Sequence, residues 1–119
     1  MQKIIDGTKH GYDGDFVVKT YTYGDIADIE DEIMTALAEI TKVGAGNKPS
    51  DYQMNIRPRA GITRIIQLKY GIKSAPVDIT IDNIKEFPQS LGKELYEAVL
   101  EVNDNVLPFG GSPSTGMPS

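Results

Sequence analysis

The stretch from Asp25 to Val43, DIADIEDEIMTALAEITKV, constrains this chain more than any other part of it. Ile26, Ile29, Ile33, Leu37 and Ile40 recur at spacings of three and four, which draws one apolar stripe along a helix. Asp25, Asp28, Glu30, Asp31 and Glu32 crowd its N-terminal half and Lys42 stands near the other end, as the helix dipole favours. Asp25 is predicted to be the N-cap, with Asp28 in the capping-box position, and Gly44 to close the helix from the C′ position. Directly upstream, Asp15 to Tyr23 places Phe16, Val17, Val18, Thr20, Tyr21, Thr22 and Tyr23 in the composition of a strand, which Gly24 ends.

The flanking segments divide at their glycines and prolines. Residues 1–14 are expected to form a loose arm, in which Ile4 and Ile5 suit a short strand that Gly11 and Gly14 turn back as a small hairpin. GAGNKPSD, from Gly44 to Asp51, is a loop by composition. Tyr52 to Ile56 is compatible with strand or loop, and Pro58 stops any helix running through it. A second helix is predicted from Arg59 or Ala60 to about Tyr70, with Ile62, Ile65, Ile66 and Lys69 on its buried side, Leu68 on the shoulder and Gly71 as its cap. Ala75-Pro76 breaks the chain again. Thr80 opens a short turn of helix, IDNIKEF, which Pro88 ends. Ser90 is expected to cap the last helix, LGKELYEAVLEVND, whose stripe is Leu91, Leu95, Val99 and Val102, with Tyr96, Ala98 and Leu100 flanking.

The fold class predicted is therefore mainly α with a small N-terminal β-hairpin or strand (α+β) and three to four helices. A single helix-rich domain over residues 15–106 lies between the arm at 1–14 and a Gly/Pro/Ser-rich tail at 107–119, LPFGGSPSTGMPS, expected to be disordered. With 119 residues there is room for one ordinary domain.

A net charge of −5 argues against a general nucleic-acid binder, which needs a basic face to release counterions from phosphates, and against an anionic membrane surface. Arg57, Arg59, Arg64, Lys69 and Lys73 cluster in one span, but the expected reading is a solvated helix face. Without cysteine there are no disulfides, thiolate metal sites or cysteine nucleophiles. The N-terminal residues carry no apolar core of a signal peptide and no segment has the length of a membrane span, so a cytoplasmic protein, or part of a particle assembled in the cytoplasm, is expected.

Little in the chain suggests chemistry. His10 is the only histidine, too few for a triad with a spare partner or for a histidine-rich metal site, and it is expected to be exposed and inert. Asp13-x-Asp15 lacks the remaining ligand positions of a Ca²⁺ loop and reads as a turn. The carboxylates of Asp28, Glu30, Asp31 and Glu32 alternate with the apolar stripe and are expected to face solvent, as a solubilising surface or a dock for a basic partner. GAGN follows a helix, whereas phosphate loops follow a strand and open a helix. No catalytic residue, cofactor site or metal site is assigned, and the expectation is a protein that is not an enzyme. The six tyrosines are read mainly as half-buried core residues.

The order of elements resembles the tail assembly chaperones of tailed bacterial and archaeal viruses. The resemblance is carried by the aromatic-Gly-Asp start of the first long helix, Tyr23, Gly24 and Asp25, and by the closing pattern Phe87, Pro88, Leu91, Leu95, Tyr96, Val99, Val102 and Asn103. It spans roughly residues 15 to 105 and is a pattern of apolar positions and breaks. It implies a short, acidic, mainly helical protein of the host cytoplasm that coats the tape-measure protein, keeps it soluble, recruits tail-tube subunits and leaves before the tail matures. It brings no catalytic residue. In many such viruses a ribosomal frameshift extends the chaperone, and the Gly/Pro/Ser tail suits such a junction.

The expected partners are accordingly proteins: the tape-measure and tail-tube proteins, with homo-oligomerisation open, and neither nucleic acid nor membrane. Tyr21, Tyr23, Ile29, Ile33, Leu37, Leu95 and Val99 are the candidate partner-binding residues, being aromatic or members of the helical stripes. A chaperone predicts an exposed apolar strip. A virion component, such as a tail-tube, connector or terminator subunit, predicts more strand and ring formation. A small enzyme or ligand-binding module predicts a concave pocket with converging polar groups. A nucleic-acid-binding regulator would rest on Arg57, Arg59 and Arg64.

Overall fold

The computed structural model of the protein describes residues 1–42, 44–56 and 59–108. The chain begins with strand β1 (Gln2–Asp6), a 3₁₀ turn (Gly7–His10) and strand β2 (Asp15–Lys19). The two strands pair antiparallel, with Gln2 opposite Lys19 and Asp6 opposite Asp15. Residues 1–14, expected as a loose arm, are thus mostly strand and turn, in the hairpin that Ile4, Ile5 and the glycines allowed. The pleat decides which residues enter the core: Ile5 stands opposite Phe16, and Phe16 and Val18 are buried while Ile4 on the other face is exposed. Gly11 closes the 3₁₀ turn at φ 90°, a conformation open to glycine at little cost.

Helix α1 (Tyr23–Leu37) starts at Thr22. The Thr22 hydroxyl accepts the Asp25 backbone N–H at 3.1 Å, and Asp25 Oδ2 accepts the Thr22 N–H at 2.9 Å. Asp25, expected as the N-cap, is the third-residue member of that capping box. Burial works against its charge, but hydrogen bonds from Lys19 and Thr22 outweigh it and hold the carboxyl below its usual range.

The helix stops at Leu37, short of the predicted Val43, which itself lies outside the described residues. Strand β3 (Ala38–Lys42) follows directly and pairs antiparallel with β4 (Tyr52–Ile56), Ala38 opposite Ile56 and Lys42 opposite Tyr52. The β-branched pair Ile40-Thr41 finds a hydrogen-bonded partner strand, and that pairing prevails over the helical spacing. Gly44 therefore belongs to the hairpin loop, where its N–H reaches the Asp51 carbonyl at 3.0 Å.

Helix α2 (Ala60–Gly71) continues into a short strand, β5 (Ile72–Ser74), which adds to the free side of β2 and completes a sheet ordered β1-β2-β5. Helix α3 (Ile81–Lys85) is capped by Thr80, whose hydroxyl accepts the Asn83 N–H at 3.1 Å. Helix α4 (Gln89–Val102) begins after Pro88, with Pro88 instead of Ser90 in the N-cap position. It packs across β1 and β2, and α2 lies against α1, α3 and α4. Among the described residues the architecture is α+β: four α-helices, the three-stranded antiparallel sheet β1-β2-β5 and the β3–β4 hairpin.

One core unites these elements: Phe16 and Val18 from β2, Ile29 and Ile33 from α1, Ile66 from α2, and Leu91, Leu95 and Val99 from α4. Burying each such side chain contributes about 1.5–3 kcal/mol. Tyr12, Phe16 and Phe87 meet edge-to-face with centroids 5.3 to 5.9 Å apart, fastening the turn after β1, β2 and the end of α3. Gly7 stands where the Gly14 carbonyl passes too close for a side chain. The buried polar residue Gln67 is fully engaged: Nε2 donates to the Pro108 carbonyl at 2.8 Å, and Oε1 accepts the Tyr96 hydroxyl at 3.2 Å. Leu107 and Pro108, expected to belong to the tail, are instead buried and held respectively; the rest of that predicted tail, residues 109–119, lies outside those described.

Candidate functional site

Helices α2, α3 and α4 leave between them a groove of about 960 Å³. Its floor is apolar and well packed from beneath: Leu68 of α2, Ile84 of α3 and Leu100 of α4 are buried. Half-buried Ile65, Phe87 and Tyr96 form the walls. The α4 wall is one helical stripe, Gly92/Lys93, Tyr96/Glu97, Leu100/Glu101 and then Asp104, rising one turn at a time.

Charge sits on the rim. Arg64, Lys93, Glu97, Glu101 and Asp104 line the groove and are all exposed. Glu101 also meets Lys3 Nζ at 3.0 Å, a solvated pair of little energetic weight. Burial pushes the Tyr96 hydroxyl above its ordinary pKa despite nearby Arg64, and the hydroxyl donates to Gln67 Oε1 at 3.2 Å. Polar groups on the rim and apolar groups on the floor describe a surface for an amphipathic segment better than a pocket with converging polar groups.

Two glycines shape this groove. A Cβ built at Gly61 in α2 or at Gly92 in α4 would meet nothing within 4 Å. Both therefore present bare helix backbone to the open space. Gly71 differs, because a Cβ there would come within 2.8 Å of Val99 Cγ2, so the α2–α4 packing itself requires it.

The seven residues predicted as partner contacts lie elsewhere. Ile29, Ile33, Leu95 and Val99 are fully buried, Leu37 nearly so, and Tyr21 is 9% exposed with its hydroxyl donating to the Gln67 carbonyl at 2.7 Å. The stripes they define are the core itself, since α1 and α4 each turn that face inward. Tyr23 alone is at the surface, 91% exposed in the first turn of α1, and it does not line the groove. The groove residues were missed because they sit on the shoulders of the stripes. The available signals were the two glycines within helical sequence and the aromatic pair Phe87 and Tyr96.

His10 is also placed differently from the expectation. Its side chain is only 10% exposed, with Nε2 2.8 Å from Glu94 Oε1 and Nδ1 3.2 Å from Ser90 Oγ. Glu32, in the acidic run expected to face solvent, accepts Lys69 Nζ at 3.0 Å and the Tyr70 hydroxyl at 2.7 Å, joining α1 to α2. Lys69 thereby points to an ion pair and not into the core. Among the described residues, no group of three or more His, Cys, Asp or Glu side chains gathers as a metal site would require, and no helix is long and apolar enough to cross a membrane. Arg57 of the basic cluster lies outside the described residues.

Comparison of the chain with protein-family models, with curated proteins and with solved structures yields no match.

Proposed function

We propose that this protein is a non-enzymatic assembly chaperone of the viral tail type, acting in the host cytoplasm by holding helical segments of the tape-measure protein and bringing tail-tube subunits to them. The single observation that supports this reading most is the α2–α3–α4 groove, apolar at its floor and charged at its rim. Such a groove suits helix-in-groove recognition, in which a partner helix lays its apolar face on the floor and its polar flanks on the rim. The resemblance described above points to the same partners.

The test is co-expression of the full chain with the tape-measure protein encoded beside it, followed by size-exclusion chromatography with light scattering. A soluble complex that forms only on co-expression is expected. Gly92→Glu, which sends a charged side chain into open groove, is expected to abolish the complex and leave the free protein folded. A stable ring of the protein alone, indifferent to the tape-measure protein, overturns the proposal.

One observation favours a second reading, a structural virion component. Among the described residues the β3–β4 hairpin makes its main contacts within itself, and a two-stranded hairpin is marginally stable in water without further partners. A neighbouring subunit would supply one. Ring formation in the same chromatography distinguishes this reading.

A further inference from the structure

The groove has a direction. Lys93 stands in the second turn of α4 and Arg64 of α2 lies near Tyr96 at mid-helix, so the positive charge on the rim falls in the N-terminal half of α4. Glu97, Glu101 and Asp104 follow along α4, and the far end is acidic. The helix dipole of α4 has the same sense, positive at its start and negative at its end, so backbone and side chains add. A helix entering this groove parallel to α4 would bring its positive N-terminus to the basic half. An antiparallel helix sets opposite signs against each other at both ends.

The glycines fix where the two backbones come closest. Glycine inside a helix is destabilising by about 0.5–1 kcal/mol relative to alanine. Gly71 has an internal reason in Val99, and Gly24 stands in the first turn of α1 outside the groove. Gly61, in the first turn of α2, and Gly92 have no packing reason among the described residues: each is helical, neither has a positive φ, and a Cβ at either would meet no described atom beyond its own stretch of helix within 4 Å. Both line the same groove. Space left bare on two facing helices is space for a third to approach.

We infer that the groove binds one amphipathic helix, antiparallel to α4, which crosses closest at Gly61 and Gly92 and carries basic residues in its N-terminal half, over Glu97, Glu101 and Asp104, and acidic residues near its C-terminus, by Lys93 and Arg64. This deepens, and rests on, the helix-binding reading above. From Gly92 to Asp104 the α4 wall runs roughly 18 Å, which fits a helix of about 12 residues. Basic residues at a helix N-terminus oppose that helix's own dipole, so the sequence sought differs from the common pattern of self-stabilised surface helices.

The probes are two stapled peptides of about 14 residues with the same leucine stripe and the same composition. One has lysines in its N-terminal half and glutamates in its C-terminal half; the other is reversed. The staple gives both the same helicity, so only the contacts differ. Titrated into the full chain and followed by fluorescence anisotropy, the first is expected to bind about tenfold more tightly. Amide resonances of Gly61 and Gly92 are expected to shift, and a nitroxide on the peptide N-terminus to broaden Asp104 and Asn105 more than Lys93. Gly92→Ala is expected to weaken binding severalfold while raising the thermal midpoint, a pairing that a merely structural glycine would not give. The double variant E97K/E101K is expected to reverse the peptide preference. Equal binding of the two peptides in the groove overturns the direction and leaves helix binding standing. Binding by neither at about 1 mM, or resonance shifts confined to another face, overturns both.

Discussion

Glu94 of α4 accepts the His10 imidazole at 2.8 Å from a residue 84 positions earlier in the chain. Ser90 Oγ lies 3.2 Å from the other ring nitrogen and Lys9 Nζ lies 3.4 Å from the second carboxylate oxygen, so the turn after β1 is tied to the first turns of α4. The hydrogen bond from His10, helped by Lys9, holds the Glu94 carboxyl below its ordinary range. A group with a depressed folded pKa stabilises above its unfolded pKa and loses that contribution as pH falls through the folded value. Glu94→Gln is therefore expected to unfold more readily than the parent protein at neutral pH and to converge with it in acid, below the carboxylate range. The difference is small, because the pair is partly solvated. Urea titrations between neutral and acid pH check this. A deficit that persists unchanged in acid would assign the effect to packing instead of charge.

The same chemical change is expected to have opposite signs at two helical glycines. At Gly71 a methyl group would sit 2.8 and 3.1 Å from the two Val99 methyls, inside the contact that holds α2 to α4. Gly71→Ala should cost about 1–3 kcal/mol, as overpacked cores do. At Gly61, in the first turn of α2, the methyl group would meet no described atom within 4 Å outside its own stretch of helix, and Gly61→Ala should stabilise by less than the roughly 1 kcal/mol of a helix-interior glycine. Thermal unfolding of the two variants reads both signs. Shortening Val99 to alanine in the Gly71→Ala background should recover part of the loss if the clash is the cause.

Tyr70 offers a spectroscopic signature of the α1–α2 contact. Its hydrogen bond to Glu32, with burial and the same carboxylate's charge adding, pushes its hydroxyl pKa up to about 12. Because the folded pKa is raised, the contribution is complete below the ordinary tyrosine range near 10 and is lost as pH climbs from there toward the folded value. Absorbance titration of phenolate should show this late tyrosine in the parent protein. In Glu32→Gln its transition should move back toward the ordinary value. A titration curve unchanged by the substitution would rule the contact out.

Where the structure puts strand in place of the predicted helix or loop, the cause is a partner distant along the chain. The last helix was legible because its information is local: Leu91, Leu95, Val99 and Val102 repeat at helical spacing and all are buried. The start of α1 was legible only to within three residues: the sequence reading places Thr22 in the strand, the N-cap at Asp25 and its box partner at Asp28, whereas Thr22 is the N-cap and Asp25 its box partner. Its end was not, because Ala38 to Lys42 becomes a strand only in the presence of residues 52–56, and the isoleucine stripe continues through Ile40 regardless. β5 is three residues long and owes its strand character to β2 alone. The groove was the least legible feature. Sequence periodicity reports which residues fill space, and a groove is space that three helices leave unfilled.

The end of α4 carries a correctable cost. The Asn105 N–H reaches back to the Leu100 carbonyl at 2.7 Å and the Asp104 N–H to the Glu101 carbonyl at 3.3 Å, the two bonds of a Schellman cap. That cap usually uses glycine in the left-handed region, yet here Asp104 and Asn105 occupy it at φ 55° and 62°. Asp and Asn tolerate the region better than other residues because their short side chains bond locally, but a Cβ is still crowded there. Asn105 is exposed, so removing its side chain leaves no cavity. Asn105→Gly should accordingly stabilise the protein by about 0.5–1 kcal/mol, the relief of left-handed strain exceeding the extra freedom glycine gives the unfolded chain. Asn105→Val, which brings a β-branched side chain into the same conformation, should destabilise by more than that. Chemical denaturation of the two variants checks the pair. If both changes were neutral, the cap would not be holding Asn105 in this conformation, and the chain beyond Val102 would have to reach Leu107 and the Gln67 bond to Pro108 by another path.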